Sequence, residues 1–364
     1  MSKKKPTKPT DLRSLRSRLK RLDAELVRLL QERREAAAAL AERAPADSLL
    51  DAIEADEVRL ATLAESVDPG VEPVLREAIA AERNARHPVR VAYLGPQNTF
   101  SHEAAAYRFG STAELAPVAT IAAVFEAVDR GDCGFGVVPL ENSTDGRVSD
   151  TLECFASTSA RVCGELPLRI HHCLLGVGER AAVKQVLSKP QALSQCRNWL
   201  TKHLPHAEVM PVASTADAAV QAKSDPAIAA IASERAGRQL GLTVLASRIE
   251  DQPDNITRFA VIGSEILGKT GDDKTALMFE MPHQPGALAD AMGVFKRAQL
   301  NMTWIESFPL RLSEAGGKRG RYRFFVEFEG HQAEVRPRRA IASLEKKATR
   351  LDVLGSYPRT EPIG

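Results

Sequence analysis

The sequence contains no long apolar run. None of its 364 residues belongs to a stretch that approaches the roughly 18 or more consecutive apolar residues of a membrane span. The first residues also lack the apolar stretch of a secretory signal peptide. We therefore expect a cytoplasmic protein that does not bind a membrane.

Cysteine pairs are missing as well. The five cysteines lie between Cys133 and Cys196, and no two of them form a Cys-x-x-Cys pair. This pattern fits reduced and mostly buried thiols better than a disulfide framework or a zinc site. We therefore expect no metal.

A strong charge of either sign is also absent. The chain has 49 lysines and arginines against 47 aspartates and glutamates, which gives a formal net charge of +2. Nucleic-acid binding needs a concentrated basic field, so the charge gives no reason to expect a nucleic-acid partner. The composition, with 44% hydrophobic and 26% charged residues, is that of an ordinary globular protein. The length favours two or three domains.

The first segment of the chain has a leucine stripe. Six leucines recur at alternating spacings of three and four, as one face of a long helix requires: Leu12, Leu15, Leu19, Leu22, Leu26 and Leu29. Such a face needs a partner helix. Alanine-rich stretches follow, with breaks at Pro45 and at residues 68–70, so we predict three helices and an all-helical domain over residues 11–86.

The pattern changes in the rest of the chain. Over residues 89–268, short apolar runs alternate with helical stretches, which predicts a domain of α/β layers. Residues 274–358 then follow the order strand, helix, strand, strand, helix, strand, which is that of a ferredoxin-like module. The sequence thus predicts a multidomain protein with all-α, α/β and α+β parts.

Two polar clusters lie next to predicted strands of the middle domain. Residues 138–148 read Val-Pro-Leu-Glu-Asn-Ser-Thr-Asp-Gly-Arg-Val, and residues 257–259 read Thr-Arg-Phe. Loops at strand ends are where α/β folds place ligand-binding groups. Taken alone, the first cluster is equally well explained as a helix start capped by Ser143 or Thr144. The second, taken alone, is a solvated arginine at a strand end.

Together, the two clusters resemble the signatures of the prephenate dehydratase family, Val-Pro-x-Glu-Asn-Ser-x-x-Gly-x-Val and Thr-Arg-Phe. Other stretches similar to the family follow in its order, at residues 93–101, 171–175, 188–196 and 214–219. The resemblance covers about residues 89–360. Asn98 departs from it, because the family usually has glycine there, and we expect an effect on the loop backbone since glycine adopts positive φ more readily.

The resemblance implies a two-lobed fold similar to periplasmic binding proteins, with the active site in the cleft between the lobes. Prephenate is a dianion whose ring becomes aromatic when it loses carbon dioxide and its hydroxyl group. The enzyme therefore needs a proton donor or strong hydrogen bond at that hydroxyl, together with groups that bind anions. By analogy with the family, Thr257 is the donor, and Arg258 is suited to bind a carboxylate bidentately. The reaction requires no cofactor.

Further residues complete the predicted site. The resemblance assigns catalytic roles to Asn142 and Ser214 through neutral hydrogen bonds. Substrate-binding roles fall on Glu141, Ser143, Thr144, Glu234 and Phe259. We expect the two glutamates to orient neighbouring groups rather than touch the substrate, because a carboxylate would repel a dianion.

The last segment resembles an ACT regulatory domain that binds phenylalanine. The similar residues are Gly286, Ala287 and Leu288 at a predicted helix start, and Glu306 and Ser307 on a predicted strand. Helix N-termini favour carboxylates, which suits the first group to an amino acid. The family's arginine after Ser307 is Phe308 here. ACT modules usually pair across subunits, so the resemblance implies a homo-oligomer, at least a dimer, with phenylalanine as effector.

The leucine-striped helix resembles the chorismate mutase domain that is fused ahead of many dehydratases. Arg16 and Arg33 match its arginine positions, and Arg43 is a candidate to replace its lysine, since Ala44 stands at that position. The Asp-x-x-Arg-Glu motif is not recognisable between residues 51 and 57, nor are the terminal serine and glutamine near Glu82. We interpret residues 11–86 as a mutase-like dimerisation domain that lacks half of the expected pocket.

Three alternatives remain at this point. A bifunctional mutase and dehydratase, with chorismate as a second substrate, is the nearest. A non-catalytic amino-acid-binding regulator is the second, although binding alone needs no proton donor at Thr257. A DNA-binding regulator with a helical head is the third, and the near-neutral charge disfavours it.

Overall fold

A computed structural model describes residues 11–43, 48–64, 68, 70–144, 146–310 and 322–364. The chain divides into two units, which meet in the sequence between His87 and Pro88. None of the described helices combines the length and hydrophobicity needed to cross a membrane.

The first unit contains the three predicted helices. They are α1 (Leu12–Arg43), α2 (Leu49–Ala64) and α3 (Glu72–Arg86). The break predicted at Pro45 and part of the break at residues 68–70 lie outside the described residues. Apolar residues of α2 and α3, among them Ile53 and Ile79, are buried. All six stripe leucines of α1 are at least 40% exposed, so one protomer alone does not bury this face.

The second unit begins with a lobe built around one sheet, called lobe 1 here. Its first elements, in chain order, are β1 (Arg90–Leu94), α4 (Phe100–Phe109), β2 (Glu114–Val118), α5 (Ile121–Asp129), β3 (Phe135–Asn142), β4 (Gly146–Arg147), α6 (Ser149–Cys154) and β5 (Arg161–Arg169). β1 pairs in parallel with β2 and β3, as expected where helices cross over between strands.

The chain then builds a second lobe, lobe 2. Its elements are β6 (Cys173–Gly176), a 3₁₀ turn (Arg180–Ala182), β7 (Gln185–Ser188), α7 (Pro190–Gln195), α8 (Arg197–His203), β8 (Glu208–Pro211), α9 (Thr215–Ala222), β9 (Ile228–Ala232), α10 (Glu234–Leu240) and β10 (Thr243–Ala246). The strand order is β10-β6-β9-β7-β8. The alanine-rich face of α9 packs on this sheet, because small side chains allow close approach.

A final strand, β11 (Ile256–Gly263), returns to lobe 1 and completes the order β2-β1-β3-β11-β5, with β4 paired to β3. β11 is antiparallel to both β3 and β5. The chain therefore crosses between the lobes twice. The two crossings run side by side, since the Ile170 N–H donates to the Asn255 carbonyl at 2.8 Å and the Ile249 N–H donates to that of His172 at 2.9 Å. This is the predicted two-lobed α/β architecture.

The chain ends in a four-stranded module, called the C-terminal module here. It comprises β12 (Asp273–Glu280), α11 (Ala287–Ala298), β13 (Met302–Pro309), β14 (Tyr322–Glu329), α12 (Val335–Glu345) and β15 (Arg350–Pro358). The predicted element order is therefore present. The antiparallel sheet has the order β13-β14-β12-β15.

Each face of this sheet has its own core. Phe279, Phe295 and Leu344 belong to the core between the sheet and its two helices. On the opposite face, Met278 and Phe325 share one apolar cluster with Val138 and Ala260 of lobe 1. The module and lobe 1 therefore share a core.

Close backbone packing adds to this contact. A Cβ atom on Gly355 would lie 2.0 Å from the carbonyl oxygen of Val162, a distance that no side chain permits. Glycine at this position therefore lets β15 approach β5.

Candidate active site

A cavity of about 430 Å³ lies between the two lobes. Lobe 1 and the strand that returns to it contribute Leu94, Gly95, Thr99, Phe100, Ser101, Ala119, Ile121, Pro139, Asn142, Val148, Ile170, Thr257 and Phe259. The segments of lobe 2 contribute His172, Lys189, Gln191, Gln195, Ala213, Ser214 and Thr215. Four predicted site residues, Asn142, Ser214, Thr257 and Phe259, are therefore brought together in one cleft.

Strand pairing positions Asn142 against Thr257. The two residues are register partners on β3 and β11, and the Asn142 Nδ2 donates to Thr257 Oγ1 at 2.8 Å. The same Nδ2 donates to Asn255 Oδ1 at 2.8 Å, and the Asn142 Oδ1 accepts from the Thr144 backbone N–H at 3.0 Å. These partners fix the orientation of the amide. Since Thr257 accepts from it, the threonine proton can be donated elsewhere.

A β-bulge shapes this wall of the cavity. The β3 to β11 register pairs Arg258 with Glu141 but Phe259 with Pro139, so β3 carries one extra residue here. The bulge allows Pro139 and Asn142, three residues apart, both to line the cavity opposite Phe259 and Thr257.

A hydrogen-bond network links this wall to lobe 2. Asn255 Nδ2 donates to Gln195 Oε1 at 3.1 Å, and His172 Nε2 lies 2.9 Å from the same oxygen. Because a carbonyl oxygen accepts only, the tautomer of His172 carries its proton on Nε2. Burial lowers the pKa of His172, so the ring stays neutral. Its Nδ1 is buried with no hydrogen-bond partner among the described residues.

The sequence analysis did not predict roles for His172, Gln195 and Asn255, although the sequence contains evidence for each of them. His172 and Gln195 lie in stretches similar to the family, but neither was assigned a role. Asn255 lies two residues before Thr257, and such a spacing puts two side chains on one face of an extended chain.

Positive electrostatic potential at the cavity has two sources. Lys189 is half-buried and is the cationic side chain among the described residues that line the cavity. In addition, α4, α5 and α9 all begin at the cavity, where the positive ends of their dipoles favour anions. Ser214 is the cap of α9, since its Oγ accepts from the Asp217 N–H at 3.0 Å.

Arg258 lies on the other face of the sheet, which corrects the prediction that it binds substrate. Successive residues of a strand point to opposite faces, so a Thr257 side chain in the cavity directs Arg258 away from it. The guanidinium Nη1 lies 2.6 and 2.7 Å from the two carboxylate oxygens of Glu327 in β14, and Nη2 lies 3.3 Å from Glu141. Arg258 thus pairs with Glu141 of lobe 1 and with Glu327 of the C-terminal module.

Three further predicted residues do not line the cavity. Glu234 is exposed on α10 and pairs with Arg238, so the prediction that it belongs to the substrate-binding site is also corrected. Ser143 connects two chain segments, because its Oγ donates to the Asp254 carbonyl at 3.2 Å and accepts from the Ile256 N–H at 2.9 Å. Thr144 Oγ1 donates to Asn255 at 3.3 Å. Both hydroxyls therefore brace the loop behind Asn142.

The loop at Asn98 keeps the backbone that a glycine would allow. Asn98 has φ of 70°, in the left-handed region that asparagine tolerates better than most residues. Its N–H faces His102 Nδ1 at 3.3 Å. The substitution therefore does not change the character of the turn before α4.

The predicted effector residues occupy two parts of the C-terminal module. Gly286, with φ of 82°, precedes α11, where Ala287 is buried and Leu288 is exposed. On β13, Ser307 is exposed, whereas Glu306 Oε2 lies 2.6 Å from Nη1 of Arg147 in lobe 1. The Arg147 guanidinium also lies 4.4 Å from the ring centre of Phe308. Arg147 of lobe 1 therefore lies beside Phe308, the residue that replaces the arginine of the ACT motif.

The arginines of the first unit have different surroundings. Arg16 and Arg43 are exposed on α1, whereas Arg33 forms an ion pair with Glu82 of α3. A second ion pair joins Arg83 and Asp56 at 2.9 Å. These two arginines therefore already have carboxylate partners.

Comparison with known proteins decides the family. The prephenate dehydratase family model matches residues 91–266, which include both sequence motifs. A bifunctional chorismate mutase/prephenate dehydratase of Aquifex aeolicus is 38% identical over 360 residues, which cover 96% of this chain and 98% of that protein. The chain belongs to the prephenate dehydratase family. Its reaction is therefore the conversion of prephenate to phenylpyruvate, carbon dioxide and water, a step of aromatic amino acid biosynthesis.

Two further proteins of the family extend the comparison. A bifunctional chorismate mutase/prephenate dehydratase of Stutzerimonas stutzeri is 42% identical over 289 residues, covering 79% of this chain and 78% of that protein. A prephenate dehydratase of Arthrobacter aurescens, solved in complex with L-Phe, aligns with a TM-score of 0.68 and 32% identity. That alignment covers 74% of this chain and 90% of the solved chain. The assignment excludes the two non-catalytic regulators considered from the sequence.

Proposed function

We propose that the cavity between the lobes is the dehydratase active site and that Thr257 hydrogen-bonds the departing hydroxyl group. The contact of 2.8 Å between Asn142 Nδ2 and Thr257 Oγ1 carries this proposal. Because Thr257 Oγ1 accepts this hydrogen bond from Asn142, the hydroxyl proton of Thr257 is directed to another acceptor. As the ring carboxylate leaves as carbon dioxide, its bonding electron pair enters the ring and expels the hydroxyl group as hydroxide, which becomes water by taking a proton from solvent. The threonine then stabilises the negative charge that develops on the leaving oxygen.

Anion binding falls to Lys189 and to the N-termini of α4, α5 and α9. These groups approach the cavity from both lobes, so a dianion between them draws the lobes together. Gln195 and His172 complete the wall on the lobe 2 side. Asn142, with its two donated hydrogen bonds, is a positioning residue for Thr257 and Asn255.

Substitution of Thr257 tests the proposal. Thr257→Val removes the hydroxyl at nearly constant volume and should lower kcat by a factor of about 10² to 10⁴ without a large change in KM. Thr257→Ser should retain part of the rate. Thr158→Val is the matched control, because Thr158 binds Asp129 away from the cavity. Turnover of the Thr257→Val protein within twofold of the unmodified enzyme would refute the role of Thr257.

Lys189 has a separate test. Lys189→Met should raise KM for prephenate by about one to two orders of magnitude, because one ion pair with a carboxylate is lost. Lys184→Met is the control, since Lys184 is exposed on the same lobe. Equal KM values for the two variants would remove Lys189 from the site.

For the C-terminal module we propose an ACT domain over residues 274–358, following a catalytic domain over residues 89–268. The element order, the helix start at Gly286 and the L-Phe complex of the Arthrobacter aurescens relative support this proposal. Phenylalanine is then a feedback inhibitor of a homo-oligomer in the cytoplasm. Titration with phenylalanine should release heat and lower the dehydratase rate, and the absence of both effects would leave the module a structural role.

For residues 11–86 we propose a mutase-like dimerisation domain. Its exposed leucine face and the names of the bifunctional relatives support the resemblance, whereas the carboxylate partner of Arg33 disfavours catalysis. Chorismate rearrangement needs several cations free to hold a dianion. The Thr257→Val protein should therefore consume chorismate slowly or not at all. Rapid accumulation of prephenate in that assay would establish a bifunctional enzyme instead.

A further inference from the structure

Arg258 belongs to a buried charge cluster behind the active-site strand. The cluster contains Glu165 and Glu327, which are 3% and 2% exposed, and the Tyr357 hydroxyl, which donates to Glu327 at 2.9 Å. Lys274 Nζ lies 2.8 Å from Glu165, and Arg258 Nη1 lies 3.4 Å from Glu165. Lobe 1 and the C-terminal module thus both contribute charges.

The geometry makes Arg258 the link between this cluster and Thr257. Adjacent Cα atoms of a trans peptide are separated by about 3.8 Å, so β11 cannot shift at one residue without moving the other. The guanidinium is held in two ways, by both oxygens of Glu327 and by the ring of Trp304, whose centre lies 5.1 Å away. Both Glu327 oxygens contact the same nitrogen, Nη1, and Trp304 provides a second contact, so the planar guanidinium is restricted in direction as well as in distance.

We infer that Arg258 is a positioning residue for the dehydratase reaction, which holds Thr257 at the Asn142 amide by anchoring β11 to Glu327 of the C-terminal module. This inference rests on the proposed role of Thr257. The residues of the Thr-Arg-Phe sequence then have two roles, since Thr257 and Phe259 face the cavity and Arg258 faces the C-terminal module.

The test compares Arg258→Gln in two backgrounds. In the otherwise unmodified enzyme, Arg258→Gln should lower kcat about 10- to 100-fold and leave KM within about threefold, because a shift of about 1 Å in a catalytic group has an effect of this order. In the Thr257→Val background, the same substitution should cause no further loss, because the group that it positions is gone. A residue that acts only on folding would lower the rate equally in both backgrounds.

Further variants separate positioning from loss of structure. Arg258→Lys should recover part of kcat, since an ammonium group can reach Glu327 without fixing direction. Glu280→Gln is the matched control, because Glu280 and Arg323 form another buried ion pair, whose two members both belong to the module. Its kcat should stay within twofold. If Arg258→Gln does not fold, Arg258→Met combined with Glu327→Leu removes both charges and should show the same loss of kcat.

The outcomes are distinguishable. A loss of kcat for Arg258→Gln that is equal in both backgrounds overturns the inference, as does unchanged kcat in the unmodified background. Thr257→Val with near-normal turnover refutes the proposed role of Thr257 itself, whatever the Arg258 variants do. Loss with Thr257→Val and no additional loss with Arg258→Gln supports both.

Discussion

Asn142 offers a sharp test of how the active site works. Asn142→Asp keeps the size and the acceptor oxygen of the side chain but removes both N–H donors, which now bind Asn255 and Thr257. The Thr257 hydroxyl would then donate to the new carboxylate instead of to the substrate. Removing one donor from the site of developing negative charge costs a factor of about 10² to 10³ in kcat, or about 2.7 to 4 kcal/mol. The added negative charge should also raise KM for a dianion.

The same variant predicts a change in pH dependence. Burial raises the pKa of a carboxyl group, and Asn142 is 6% exposed. Once protonated, residue 142 can again donate one hydrogen bond to Thr257. The kcat of the Asn142→Asp protein should therefore rise relative to the unmodified enzyme as the pH falls through the pKa of the new carboxyl group.

Initial rates of phenylpyruvate formation between about pH 5 and pH 8 would show this behaviour. Asn301→Asp is the control, because the Asn301 amide donates to Glu329 in the C-terminal module at 3.0 Å. If the kcat ratio of Asn142→Asp to unmodified enzyme is flat over this range, donation from residue 142 to Thr257 is not what activates the site.

Three other predictions concern stability. Burial lowers the pKa of His172 in the folded state, so the unfolded chain takes up the proton at a higher pH than the folded protein does. The free energy of unfolding should therefore fall as the pH drops below about 6.5. His172→Gln should reduce this pH dependence in thermal melts. Asn98→Ala should lower the free energy of unfolding by about 1 to 2 kcal/mol, because residue 98 has φ of 70°. Asn98→Gly should change it by only about a few tenths of a kcal/mol. Equal urea midpoints for the two variants would contradict this prediction. Gly355→Ala should destabilise by more than about 3 kcal/mol, since the new Cβ would overlap the Val162 carbonyl; an unchanged midpoint would exclude the close contact.

The sequence was sufficient for the layers and for the meeting of Asn142 with Thr257 in one cavity. Alternating apolar runs predicted the α/β domain, and the two motifs predicted that Asn142 and Thr257 share a cavity. The pairing of β3 with β11 brings the two residues together. The sequence was not sufficient for Arg258, since the affinity of a guanidinium group for carboxylates placed this residue in the cleft beside Thr257. The two-residue period of a strand argues against that interpretation and was available from the sequence.

Other site residues could not be predicted from local patterns. Lys189, Gln195 and Asn255 meet Asn142 only after two lobes and two chain crossings have formed. Likewise, the partner of Glu306 is an arginine 159 positions earlier in the chain. Nothing within either segment specifies such pairs, because they result from how the sheets of lobe 1 and the C-terminal module pack.

The reaction itself explains why an arginine is better kept out of the reacting end of the cavity. One carboxylate of prephenate loses its charge as it becomes carbon dioxide, while charge develops on the departing hydroxyl oxygen. A bidentate arginine on that carboxylate would bind the ground state more strongly than the transition state, and such binding lowers kcat. A cation is useful on the carboxylate that does not react, which is the role we propose for Lys189. A neutral donor such as Thr257, placed at the departing hydroxyl oxygen, stabilises the charge that forms there and does not stabilise the carboxylate charge that is lost. The location of Arg258 behind the sheet is thus what this chemistry favours.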